Sequence, residues 1–145
     1  MRGDPDRCAY GVAIEDRLGR AYNEEAFRYF LEIERKRAPR LGRPCLLLLA
    51  GLKNQATPNV RMDRAIAARL FSGLWQSLRE TDVIGWYRED RVAGALLTQL
   101  PDGPLPEVSR LIRQRVSETL YQGFRPNVAR RLRVHVYELR PKLKA

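Results

Sequence analysis

The sequence predicts one α/β domain, an α+β sandwich built on a split βαβ sheet. Three observations carry that expectation. The chain has 145 residues, 44% of them hydrophobic and 30% charged, which suits one soluble core that needs neither disulfides nor metals. Its apolar periodicity alternates between helical and strand spacing in the order helix, strand, helix, strand, strand, helix, strand. Turn chemistry in PDGP (101–104) separates the last helix and strand from what precedes them.

Each element has a local reason. Asn23 is a good N-cap, Glu24 and Glu25 suit a first helical turn, and Ala26, Phe27, Phe30, Leu31 and Ile33 follow at helical spacing up to about Ala38. RPCLLLLAG (43–51) is an apolar run too short for a buried helix, so it reads as a central strand covered on both faces. From Met62 to Leu78, Ile66, Leu70 and Leu74 draw one stripe, flanked by Ala67, Phe71 and Leu78. Residues 82–87 and 91–97 read as a hairpin turning on Arg88, Glu89, Asp90 and Arg91. A third helix is expected from Leu105 to about Tyr121, and RRLRVHVYEL (130–139) alternates as a last strand. Residues 1–15 are expected to be an N-terminal extension or linker, 16–140 the domain, and 141–145 a basic tail.

Composition narrows the function. Cys8 and Cys45 are far apart and belong to no CxxC or Cys/His cluster, so no zinc or redox motif is present. His135, the only histidine, lies in an alternating strand and builds no nucleophilic triad. No apolar run approaches the roughly 20 residues of a membrane span, and MRGDPDRCAYG has no signal-peptide core, so a cytoplasmic protein or fragment is expected. The net charge of +10 comes from 23 arginines and only 4 lysines, a bias that suits planar, bidentate recognition of phosphate. Trp75 and Trp86 read as core or interface aromatics, and Arg130, Arg131 and Arg133 as a solvated strand edge. An RNA-recognition sheet needs exposed aromatics on its central strands; LLLLAGL has none, so nucleic acid is not an expected partner.

The order of elements and several strings resemble the GGDEF domain of the diguanylate cyclase family. DRLGRAYNEEAF (16–27) matches the usual opening Asp-x-Leu-Thr-Gly-Leu-x-Asn-Arg-x-x-Phe at Asp16, Leu18, Asn23 and Phe27. GRPCLLLL stands where the family has its first core strand. RETDVIGWYREDRV stands where it has Arg-x-x-Asp, a strand and Gly-Gly-Asp-Glu-Phe. The resemblance covers roughly residues 16–140. It implies a palm-type, ferredoxin-like βαββαβ core with an extra N-terminal helix, in a bacterial signalling protein.

The departures shape what the resemblance implies about activity. Where the family's first strand ends in Asp-x-Asp, this chain has Ala50, Gly51 and Leu52. The hairpin tip carries Arg88-Glu89-Asp90-Arg91-Val92, so both glycines are lost and Asp90 keeps one acidic position. Two divalent cations on a triphosphate need several oxygen ligands, and glycines leave room for a nucleotide against the backbone. Asp63 matches the family's guanine-contacting Asp without its partners. No catalytic residue, metal or cofactor is therefore expected, and the cyclase site reads as vestigial.

Arg79-Glu80-Thr81-Asp82 is the only RxxD in the chain. In this register the family places its product-inhibition site for cyclic di-GMP, where an Arg fork and an Asp read guanine and phosphate. A second Arg from the following helix corresponds to Arg113, or to Arg110 as the alternative. The resemblance implies a catalytically inactive regulatory domain that receives cyclic di-GMP, partnered by a second copy or by other domains of a larger signalling protein. A ligand-free interaction or dimerisation module is the second reading. A divergent metal-dependent nucleotidyl cyclase using Asp63, Glu89 and Asp90 is the third.

Overall fold

The computed structural model describes residues 11–41, 44–54, 57–78 and 83–139. Six strands among these residues form one sheet: β1 (Val12–Asp16), β2 (Gly19–Tyr22), β3 (Cys45–Leu52), β4 (Val83–Arg88), β5 (Val92–Leu97) and β6 (Leu132–Leu139). Among the described residues four helices accompany them: α1 (Glu24–Leu41), α2 (Arg64–Ser77), α3 (Leu105–Gly123) and the short α4 (Pro126–Ala129). Across the sheet the order is β1-β2-β4-β5-β3-β6. The four strands β4-β5-β3-β6 pair antiparallel throughout, with β3 between β5 and β6. That is the split βαβ arrangement expected from the sequence.

The leading hairpin is the main addition. Residues 12–15 were expected in an extension, yet they pair antiparallel with β2 as the first strand of the sheet. β2 then joins β4 in parallel through Tyr22 and Gly85. Gly85 makes that joint possible: a Cβ there would lie 2.6 Å from the Tyr22 carbonyl oxygen and 2.9 Å from its nitrogen. Ala21 is the fully buried residue of this hairpin, so the strands carry almost no apolar signal of their own.

The sheet buries both faces. Leu46, Leu48, Ala50 and Leu52 of β3 join Leu70, Phe71 and Leu74 of α2 and Val108, Val116 and Leu120 of α3 in the larger cluster. Cys45 and Leu47 of β3 face the other way, into a smaller cluster with Phe27 and Leu31 of α1. The continuous apolar run therefore marks a two-sided strand, as its composition predicts. Trp86 is buried edge-on against Phe71 at 4.9 Å, and Trp75 donates Nε1 to the Arg20 carbonyl at 3.2 Å. Asn23 caps α1 through the Ala26 amide at 2.9 Å. The helix continues to Leu41, and α3 to Gly123, each a little beyond its apolar stripe. No helix among the described residues is long and apolar enough to cross a membrane.

Candidate functional site

The β4–β5 hairpin is anchored at its tip from two sides. Arg88 and Val92 pair across the strands, and the Arg91 amide closes the turn on the Arg88 carbonyl at 3.0 Å. Asp90 takes the left-handed conformation, φ 61°. A short polar side chain tolerates that region better than most, so Asp90 performs the turn for which glycine is the usual residue. Its carbonyl accepts from the Met62 amide at 2.8 Å, and its carboxylate meets Arg61 Nη2 at 3.2 Å. Arg91 Nη1 donates to the Asn59 carbonyl at 3.2 Å. From α1, Glu24 Oε1 accepts from the Glu89 amide at 2.6 Å. Glu24 also pairs with Arg28 at 3.4 Å, and the Arg28 guanidinium lies 4.5 Å over the Tyr87 ring.

The positions corresponding to the family's acidic strand end do not converge on this tip. Ala50 and Leu52 are 0% and 2% exposed, within the cluster under α2 and α3. Gly51, between them, lines the opposite face. Asp63 is the N-cap of α2 and accepts from the Ile66 amide at 2.8 Å. Asp63 thus caps a helix, Asp90 builds a turn, and Glu89 offers its backbone to Glu24. Among the described residues, no three side chains of His, Cys, Asp or Glu stand together as a metal site. Arg110 and Arg113 are exposed on α3. Their expected companions Arg79 and Asp82 lie outside the described residues, as does the basic tail.

Beside the hairpin an open groove of about 390 Å³ crosses the α1 side of the sheet. Lys53, Arg88 and Arg133 supply cations to its lining, and Tyr87, His135 and Tyr137 supply rings. No Asp or Glu lines it. The β6 members follow from strand alternation: Arg133, His135 and Tyr137 sit opposite Gly51, Leu49 and Leu47. The sequence expectation treated Arg130, Arg131 and Arg133 alike as a solvated edge. β6 is indeed the edge, but only Arg133 of the three belongs to it, and the Arg131 side chain is partly buried. The period-two pattern R-V-H-V-Y was the available signal for a shared face. It became informative once β3 was placed beside β6, because the exposed rings stand next to the central strand instead of on it.

No family model matches the sequence, and no curated protein sequence matches it. Solved structures do. The fold is similar to a DGC protein from Thermotoga maritima at 16% identity and TM-score 0.60, covering 85% of this chain and 83% of that one. It is similar to the FimX GGDEF domain from Pseudomonas aeruginosa at 20% identity and TM-score 0.65, covering 92% and 85%. It also matches PelD from Pseudomonas aeruginosa at 23% identity and TM-score 0.54, covering 96% of this chain but 44% of PelD. A further PelD structure, in complex with c-di-GMP, matches at 19% identity and TM-score 0.50, covering 98% of this chain and 44% of that one. Six strands in this order, helices on both faces and these neighbours together establish that the chain has the GGDEF-domain fold.

Proposed function

We propose that this GGDEF-fold domain is a regulatory receptor for cyclic di-GMP without cyclase turnover. The observation that carries the reading is the register of Arg79-Glu80-Thr81-Asp82, which ends one residue before β4 begins at Val83, the strand leading to the hairpin. Arg79 and Asp82 act as the guanine and phosphate clamp, with Arg113 or Arg110 of α3 adding a second guanidinium. The absence of turnover in this reading is supported by Ala50 and Leu52, which carry no carboxylate and are buried, and by the other duties of Asp63 and Asp90. The PelD complex with c-di-GMP supports the ligand assignment by likeness of fold. Bound ligand would favour one arrangement of domains or protomers.

Calorimetric titration of the full chain with cyclic di-GMP tests this directly. Micromolar or tighter binding is expected, lost in Arg79→Ala and in Asp82→Ala, with no product formed from GTP and magnesium. Binding that survives both substitutions refutes the clamp. A second reading, a protein-docking module, is favoured by Tyr29 and Ile33, exposed one turn apart on α1. It is preferred if no cyclic dinucleotide binds.

A further inference from the structure

We propose a small-molecule site remote from both the clamp and the hairpin: the groove where α2 meets the end of α3 binds an amphipathic monocarboxylate, its apolar body in the groove and its carboxylate on Arg69 and Arg125. The groove holds about 320 Å³ and lies on the α2 and α3 side of the sheet, away from the open groove beside the hairpin. Ile66 of α2, Phe124 just after α3 and Val128 of α4 give it an apolar wall. All three are half-buried and packed against the larger core cluster, so part of each side chain is left for a ligand to cover. Gly123 lines the groove too, and the space where its Cβ would stand is open, with no atom within 4 Å. A volume of this size is near the lower end of ligand pockets and suits a short acyl chain or a single aromatic ring.

The charged groups of the lining have one sign. Arg69 and Arg125 belong to it, and no Asp or Glu does, so an anion is the complementary occupant. Arg69 is held in place, its Nη1 donating to the Gly123 carbonyl at 3.1 Å. That bond has a local cause. α3 ends at Gly123 with no basic residue in its last turn, so its orphan carbonyls draw a cation from the neighbouring helix. The same guanidinium offsets the negative end of α3, which alone would repel an anion. With Nη1 engaged, Nε and Nη2 remain as the fork that takes a carboxylate through two parallel hydrogen bonds. Beyond Arg69 a smaller arm of about 110 Å³ continues beside Ser72, Gln76 and Thr119. Arg69 and Gly123 line both spaces, so the guanidinium stands where apolar lining gives way to hydroxyl and amide groups. A molecule with one apolar end and one anionic end matches that order. An inorganic anion leaves the apolar wall uncovered, and a hydrocarbon leaves both cations unused.

Gly123 is about 15 Å along α3 from Arg113, so this site and the clamp can fail separately. The test is an amide NMR titration of the full chain with hexanoate and octanoate, beside acetate and octanol. The amides of Ile66, Gly123, Phe124 and Val128 should shift together as octanoate binds. Octanoate should bind about tenfold more tightly than hexanoate, because two further CH₂ groups are covered. Arg69→Ala should weaken octanoate by about tenfold and leave octanol unchanged, and Arg125→Ala should weaken it by about threefold. Arg69→Lys keeps a cation over the end of α3 and should stay within about threefold of the parent, which separates lost charge from a disturbed helix end. Gly123→Leu fills the open space and should weaken both acids by about tenfold. Arg79→Ala should leave octanoate binding intact while abolishing that of cyclic di-GMP. Arg69 and Arg125 are exposed, and matching thermal melts establish that the variants fold. The proposal is overturned if octanoate at millimolar concentration shifts none of the four amides, or if Arg69→Ala or Gly123→Leu binds it as tightly as the parent. It is also overturned if octanol or acetate binds as tightly as octanoate.

Discussion

Replacing Ala50 by Asp puts a carboxylate at the position where the family resemblance expects one. Ala50 is 0% exposed, lies between Ala93 and Val134 in register, and belongs to the apolar cluster under α2 and α3. A carboxyl group there loses water and gains no cation. Burial of this kind raises an aspartate pKa by about 3 units, which costs about 4 kcal/mol at neutral pH. Added volume and an unpaired polar group in a packed core contribute about 1–3 kcal/mol more. The total, about 5–7 kcal/mol, removes most or all of a typical domain's stability. The sign with pH follows from the raised value. In acid both the folded and the unfolded state hold the proton, so the ionisation part of the cost is absent. It grows as pH rises from about 4, where the unfolded chain ionises, to about 7, and is constant above. Urea unfolding of Ala50→Asp beside the parent at pH 4 and pH 7 measures this. A loss below about 1 kcal/mol at pH 7, or stability regained with magnesium, would refute the inward placement of residue 50.

Three further substitutions separate structural from ligand-binding duties. Asp63→Ala should cost about 1 kcal/mol in urea unfolding through loss of the α2 cap, and Asp63→Ser should recover most of it; a neutral Asp63→Ala would remove the capping role. Asp90→Ala should cost about 1 kcal/mol because alanine resists the left-handed region, whereas Asp90→Gly should stay within about 0.5 kcal/mol of the parent. The exposed Arg61 pair lost in both variants contributes little. Glu24→Gln should lower stability by no more than about 1 kcal/mol, since Glu24 and Arg28 are 39% and 43% exposed. The same substitution should accelerate hydrogen exchange at the Glu89 amide, and unchanged exchange there would show that α1 does not anchor the hairpin.

Much of the fold was legible because its signals are local. The LLLL run, the α2 stripe and the two apolar runs on either side of the charged tip Arg88–Arg91 each specify an element from nearby residues, and all three appear close to where expected. The leading hairpin was not legible: β2 is four residues long with one buried side chain, and its place in the sheet depends on Gly85, more than sixty residues later. The acidic positions were legible as residue types only. Their duties as helix cap and left-handed turn depend on the conformation of the chain around each of them.

By itself the sequence determined the long helices and the strands β3 to β6, the two-sided central strand, the excess of arginine and the absence of carboxylates at residues 50–52. The tertiary structure alone decided that Ala50 and Leu52 point into the core while Gly51 opens onto a groove. It alone aligned Arg88, Val92, Gly51 and Arg133 in one row. The reason is register. Side chains alternate with period two, so a one-residue slip between strands would send every member of that row to the other face. That row depends on the pairing of Gly51 with Val92 and with Arg133, 41 and 82 positions away, and no local pattern encodes either.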